Sequence, residues 1–108
     1  MVWRVRDRTT FSALRRAGAR VRRGPVTVTF VSSGQSEPPK VAYAVGRKVG
    51  TAVRRNRLRR RLRAVVADLA PEMRPGAYLL SAAPEAAEVP FRELRAAVAE
   101  AVRAVGEK

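Results

Sequence analysis

Apolar residues along this chain follow two periods, and the switches between them mark out the elements. Val26-Thr27-Val28-Thr29-Phe30-Val31 alternates large apolar residues with threonine, which predicts a half-buried strand. Val41 to Val45 and Ala77-Tyr78-Leu79-Leu80-Ser81 predict two more, and Ala19 to Arg22 fits another. Elsewhere the spacing is helical. Phe11 and Leu14 stand at i, i+3 in a short helix that Thr9 or Thr10 can cap and that stops near Gly18. Leu58, Leu62, Val65, Val66 and Leu69 form one continuous apolar stripe, predicting an amphipathic helix over 52–69 with Thr51 as N-cap. A last helix over 90–105 carries Phe91, Leu94, Val98, Ala101 and Val105 on one face. Ser32 to Pro39 reads as a polar loop, and Gly46 to Gly50 as a short basic turn. With 108 residues and no internal repeat, a single α+β domain follows.

Charge changes this picture at one helix. The chain carries a formal net charge of +14. Residues 1–63 hold 18 Lys/Arg against Asp7 and Glu37, whereas residues 64–108 hold five against seven Asp/Glu. The basic footprint thus belongs to the first three-fifths of the chain: a basic arm over 1–8, extended across Arg4 to Arg8, and the ten positions from Arg54 to Arg63, seven of them arginine. Like charges three or four apart on a helix repel by a few tenths of a kcal/mol per pair. Cations in the first turn also oppose the helix dipole, by roughly 0.3–1 kcal/mol each. A polyanionic partner is the simplest compensation. On the helical wheel Asn56, Arg59, Arg60 and Arg63 lie opposite the apolar stripe with Arg57 at the edge, forming a cationic ridge suited to phosphate oxygens. Arg47 and Lys48 stand beside it in the glycine-bounded turn. That turn lacks the spacing of a Walker A loop, so no nucleotide hydrolysis is read into it. Phe11, Phe30 and Tyr43 are the aromatics placed to stack on unpaired bases, with Phe30 read as core. Charge alone leaves RNA and DNA both open.

The remaining chemistry is sparse. The sequence has no histidine and no cysteine, which removes the usual general base, the commonest metal ligand and any thiolate nucleophile. No paired carboxylates or metal-ligand clusters appear, so no catalytic residue and no metal site are assigned. No apolar run approaches the roughly 20 residues of a membrane span. The N-terminus lacks an apolar secretory segment of roughly 7–15 residues. A soluble, cytoplasmic protein without a membrane partner is expected.

Lys48-Val49-Gly50-Thr51-Ala52-Val53-Arg54-Arg55-Asn56-Arg57-Leu58-Arg59-Arg60 closely resembles the signature block of the bacterial ribonuclease P protein component, with Arg55-Asn56-Arg57 as its core. Arg4, Phe11 and Gly18 match that family's N-terminal spacing, and Tyr78-Leu79-Leu80 its strand after the basic helix. The resemblance implies an αβββαβα sandwich with a left-handed βαβ crossover, similar to domain 2 of ribosomal protein S5. It implies two partners, a catalytic RNA subunit and precursor tRNA, and no obligatory protein partner. The RNA subunit and substrate would hold the Mg²⁺ cofactor, and the 5′ leader of the tRNA would be cleaved off. Arg47, Lys48, Arg54, Arg55, Asn56, Arg57, Arg59, Arg60 and Arg63 carry over as RNA-binding residues. Phe11, Arg15 and Thr29 carry over as positions of the cleft that receives the single-stranded leader. Arg15 stands where members often have a second aromatic, and Thr29 where a strand aromatic is common, so leader binding here would lean on charge. Arg61 replaces an aliphatic residue, its stem expected along the edge of the core. A structural RNA-binding protein of ribosomal type shares the charge and the helix and is the alternative.

Overall fold

The computed structural model describes residues 2–32 and 37–106. Residues 33–36 of the expected polar loop, Met1 of the arm and residues 107–108 lie outside the described residues. Five strands and three helices follow in the order β1 (Trp3–Arg4), α1 (Arg8–Ala17), β2 (Ala19–Arg23), β3 (Val26–Ser32), β4 (Lys40–Ala44), α2 (Ala52–Leu69), β5 (Gly76–Ala82) and α3 (Phe91–Gly106). The strands make one mixed sheet in the order β1-β4-β5-β3-β2. Strand β4 runs parallel to β5, with α2 as the crossover between them, while β3 is antiparallel to both β5 and β2. Two residues of the expected arm, Trp3 and Arg4, join the sheet edge parallel to β4.

Alternation along the strands divides the core between the two faces of the sheet. Val26, Val28, Phe30, Val41, Tyr78 and Leu80 face α2 and α3 in the larger cluster. On the other face Ala42 and Ala77 meet Val5 and Leu14, with Phe11, Val31 and Leu79 packed at the margin. Helix α2 is held to the larger core by the predicted stripe, each of whose five residues is at most 1% exposed. Burying each such side chain returns about 1.5–3 kcal/mol. The six Arg–Arg pairs at i, i+3 or i, i+4 within 54–63 cost only about 0.2–0.5 kcal/mol apiece. Apolar burial therefore wins, and the cationic segment stays helical.

Two expectations need correction. Asp7, not Thr9 or Thr10, caps α1: its carboxylate accepts from the Thr10 N–H at 2.9 Å and from the Thr10 hydroxyl. Those hydrogen bonds hold the Asp7 carboxyl below its usual pKa. A carboxylate also suits the positive helix N-terminus better than a hydroxyl. Phe91 is 44% exposed, while Leu94, Val98, Ala101 and Val105 of its expected face are buried. It is the first residue of α3. Thr51 caps α2 as expected, accepting from the Arg54 N–H at 3.3 Å. Gly76, at φ 149, starts β5 where a Cβ would lie 2.5 Å from the Val31 carbonyl oxygen and 2.6 Å from the Phe30 ring.

Candidate nucleic-acid interface

The apolar stripe fixes the rotation of α2, and that rotation turns Asn56, Arg59, Arg60 and Arg63 outward to line one shallow groove of about 530 Å³. Arg59 sits lowest. It donates to Asn56 Oδ1 at 3.0 Å and to the Val45 carbonyl at 3.4 Å, which orients the amide within the ridge. Arg63 lies over the Tyr43 ring, 5.7 Å from its centroid. Burial pushes the Tyr43 hydroxyl above its ordinary pKa, with Arg63 pulling the other way. Arg57 and Arg60 are exposed. Arg47 and Lys48, also exposed, stand in a single 3-10 turn before Thr51, with Val49 as its buried anchor.

The arginines are not equivalent. Arg54 pairs with Glu88 at 2.9 Å. Arg61 is half-buried and donates to the Val89 carbonyl, so its stem follows the core edge as expected. Both fasten the exposed side of α2 to the segment before α3. The Arg55 Nε is buried and has no hydrogen-bond partner among the described residues. A buried donor left unpaired is costly.

On the opposite face of the sheet, α1 brings Phe11 and Arg15 to one side of a helix turn, at i, i+4. Phe11 is half-buried against the cluster of Val5, Leu14, Ala42 and Ala77, and Arg15 is exposed. Thr29, the third expected cleft position, is corrected by its burial at 2% exposure. Helix α1 ends directly over it: a Cβ at Gly18 would lie 2.4 Å from the Thr29 methyl. Thr29 therefore supports α1 and is closed to a ligand. The sheet surface left open is the next row across the strands, Arg22, Thr27, Ser81 and Ala44. Arg22 and Ala44 are exposed, and Thr27 and Ser81 half-buried. Sequence reasoning missed Arg20 and Arg22. Their period-2 spacing in β2 signals one face, and pairing with Thr29 and Thr27 sets that face beside α1.

Hard divalent cations take carboxylate and carbonyl oxygens, and this surface offers guanidinium groups. Among the described residues no three His, Cys, Asp or Glu side chains come together as a metal site. No helix among them is long and apolar enough to cross a membrane.

The family model for ribonuclease P matches residues 2–106. The chain belongs to the ribonuclease P protein family. It is 37% identical over 105 residues to the ribonuclease P protein component of Symbiobacterium thermophilum, covering 96% of this chain and 91% of that protein. It is 41% identical to that of Kocuria rhizophila, covering 93% and 92%. Among solved structures, the ribonuclease P protein of Thermotoga maritima superposes with a TM-score of 0.82 at 23% identity, over 94% of this chain and 96% of that one. The Staphylococcus aureus protein gives 0.84 at 16% identity over 94% of each. Those two likenesses show the shared fold.

Proposed function

We propose that this chain is the protein subunit of a ribonuclease P ribonucleoprotein, acting in tRNA 5′ maturation. The α2 ridge would bind the catalytic RNA through Arg55, Asn56, Arg57, Arg59, Arg60 and Arg63, with Arg47 and Lys48 extending it. Arg54, already held by Glu88, would contribute less. The observation that carries the reading is the convergence of Asn56 with three arginines on one groove. Phe11, Arg15 and the strip from Arg22 to Ala44 would take the single-stranded 5′ leader of precursor tRNA, offering one aromatic edge and a floor of small side chains.

In this reading the chain does no bond chemistry. Its arginines neutralise phosphates that would otherwise repel one another, which holds RNA and substrate together. Mg²⁺ would be held by the RNA subunit and the substrate. Reconstitution with a bacterial ribonuclease P RNA at low Mg²⁺ tests the proposal. The expected result is faster 5′-leader cleavage than with RNA alone. No acceleration, together with co-sedimentation with ribosomes, would favour a structural RNA-binding protein instead.

A further inference from the structure

Strand β1 is only two residues long, yet its position is fixed from both sides. Val5 beyond it is 4% exposed in the smaller core cluster, and Val2 before it packs against the larger one. The Trp3 N–H donates to the Pro39 carbonyl at 2.8 Å and the Val5 N–H to the Val41 carbonyl at 3.3 Å. In this register Arg4 pairs with Val41. Its side chain therefore shares the face that Val41 and Tyr43 turn toward α2, while Trp3 and Lys40 take the other face. A trough runs between β1 and the later turns of α2, with Val41 and Val66 in its floor and Arg4 and Arg63 on its walls. Arg6, two residues on, lines it too.

The charge around this trough is uncompensated. Arg4, Arg6 and Arg63 are exposed, and among the described residues none of the three has a carboxylate within ion-pairing distance. The one acid in the lining, Asp7, is engaged by the Thr10 N–H and hydroxyl. On the other flank of α2 the pattern reverses: Arg54–Glu88 and Asp68–Arg95 join the helix to α3 and the segment before it. Acids thus stand where α2 meets α3 and are missing where it meets β1. The floor adds no charge of its own, since Val41 and Val66 are 1% exposed and Ala70 8%. Arg63 also lines the groove of the ridge, so it stands where groove and trough meet.

We propose that RNA lying on the ridge continues past Arg63 into this trough, and that Arg4 and Arg6 are further phosphate-binding residues of the chain. The proposal rests on the reading of the chain as an RNA-binding subunit. The occupant follows from charge and place. Three free guanidinium groups over an apolar floor fit successive phosphates of a backbone, with sugars against the floor. The trough lies on the α2 face, so the strand that fills it is the one the ridge binds, from the RNA subunit; the strip for the leader is on the opposite face. From Asn56 to Ala67 the helix rises about 16 Å, which makes ridge and trough one track several nucleotides long. Backbone contacts of this kind position the RNA without reading its sequence.

The test is filter binding of the full chain to a bacterial ribonuclease P RNA from about 0.1 to 0.4 M monovalent salt. Arg4→Gln and Arg6→Gln should each lower the slope of log affinity against log salt by about 0.7–0.9 and weaken Kd roughly fivefold at 0.15 M. Arg4→Lys, which keeps the charge, should retain the parent slope. Arg16→Gln removes an exposed arginine of α1, over the other face of the sheet, and should change the slope by less than about half as much. Slopes unchanged by both Arg4→Gln and Arg6→Gln, or flattened equally by Arg16→Gln, overturn the trough. So does an Arg4→Gln defect confined to precursor tRNA that carries a leader, since the trough would then hold the leader. Flattening by Arg60→Gln alone refutes the trough and leaves the ribonuclease P reading standing. Flattening by Arg4→Gln and Arg6→Gln in a chain that does not accelerate leader cleavage supports the trough and overturns that reading.

Discussion

Replacing single arginines of α2 by glutamine should separate those that face RNA from those already engaged by the protein. Arg60 is exposed and lines the open groove, whereas Arg54 reaches Glu88 at 2.9 Å. Each phosphate contact releases about 0.7–0.9 of a counterion, so Arg60→Gln should reduce the slope of log affinity against log salt by about that amount. At 0.15 M salt this release is worth about 1 kcal/mol, or roughly fivefold in Kd. Arg54→Gln should change the slope by less than about half as much, because its charge is already compensated within the fold. Both side chains are exposed, so thermal stability should stay within about 0.5 kcal/mol of the parent. Filter binding of the RNA subunit from about 0.1 to 0.4 M monovalent salt, a range over which such slopes are resolved, gives both numbers. Equal flattening by the two variants would refute the distinction, and no flattening by either would refute the ridge itself.

Three further outcomes follow from the packing. Leu62→Ala removes a side chain with 0% exposure from the centre of the α2 stripe and should cost about 2–5 kcal/mol. Circular dichroism should then show a lower melting temperature and RNA affinity that recovers on cooling; an unchanged Tm would contradict the stripe as anchor. Gly76→Ala should destabilise by at least about 1 kcal/mol in urea titration, since φ is 149 and the Val31 carbonyl blocks a Cβ; a neutral result would refute the constraint. The Tyr78 hydroxyl donates to the Arg74 carbonyl at 2.8 Å, and burial pushes its pKa up to about 12. The folded state therefore keeps this proton while the unfolded chain loses it near pH 10, so stability is full below pH 10 and falls between 10 and 12. Tyr78→Phe should flatten that fall in alkaline denaturation, and an identical fall in both proteins would exclude Tyr78 as its source.

What the sequence disclosed and what it withheld divide along chain distance. Helix α2 was legible to its ends because local signals coincide there: a Thr51 cap, a five-residue stripe, and the halt at Leu69 before Pro71. The cap of α1 was misread because Asp7, Thr9 and Thr10 are all capping types within four positions. The choice fell to the residue whose oxygens reach the Thr10 N–H. The wheel placed the ridge but could not rank its members. Arg54 meets a partner 34 residues away and Arg61 one 28 residues away, and no periodicity encodes those pairings. Thr29 shows the same limit in reverse. Its alternation gives the correct face of β3, yet its availability depends on where α1 ends, and Gly18 sets that end over its methyl.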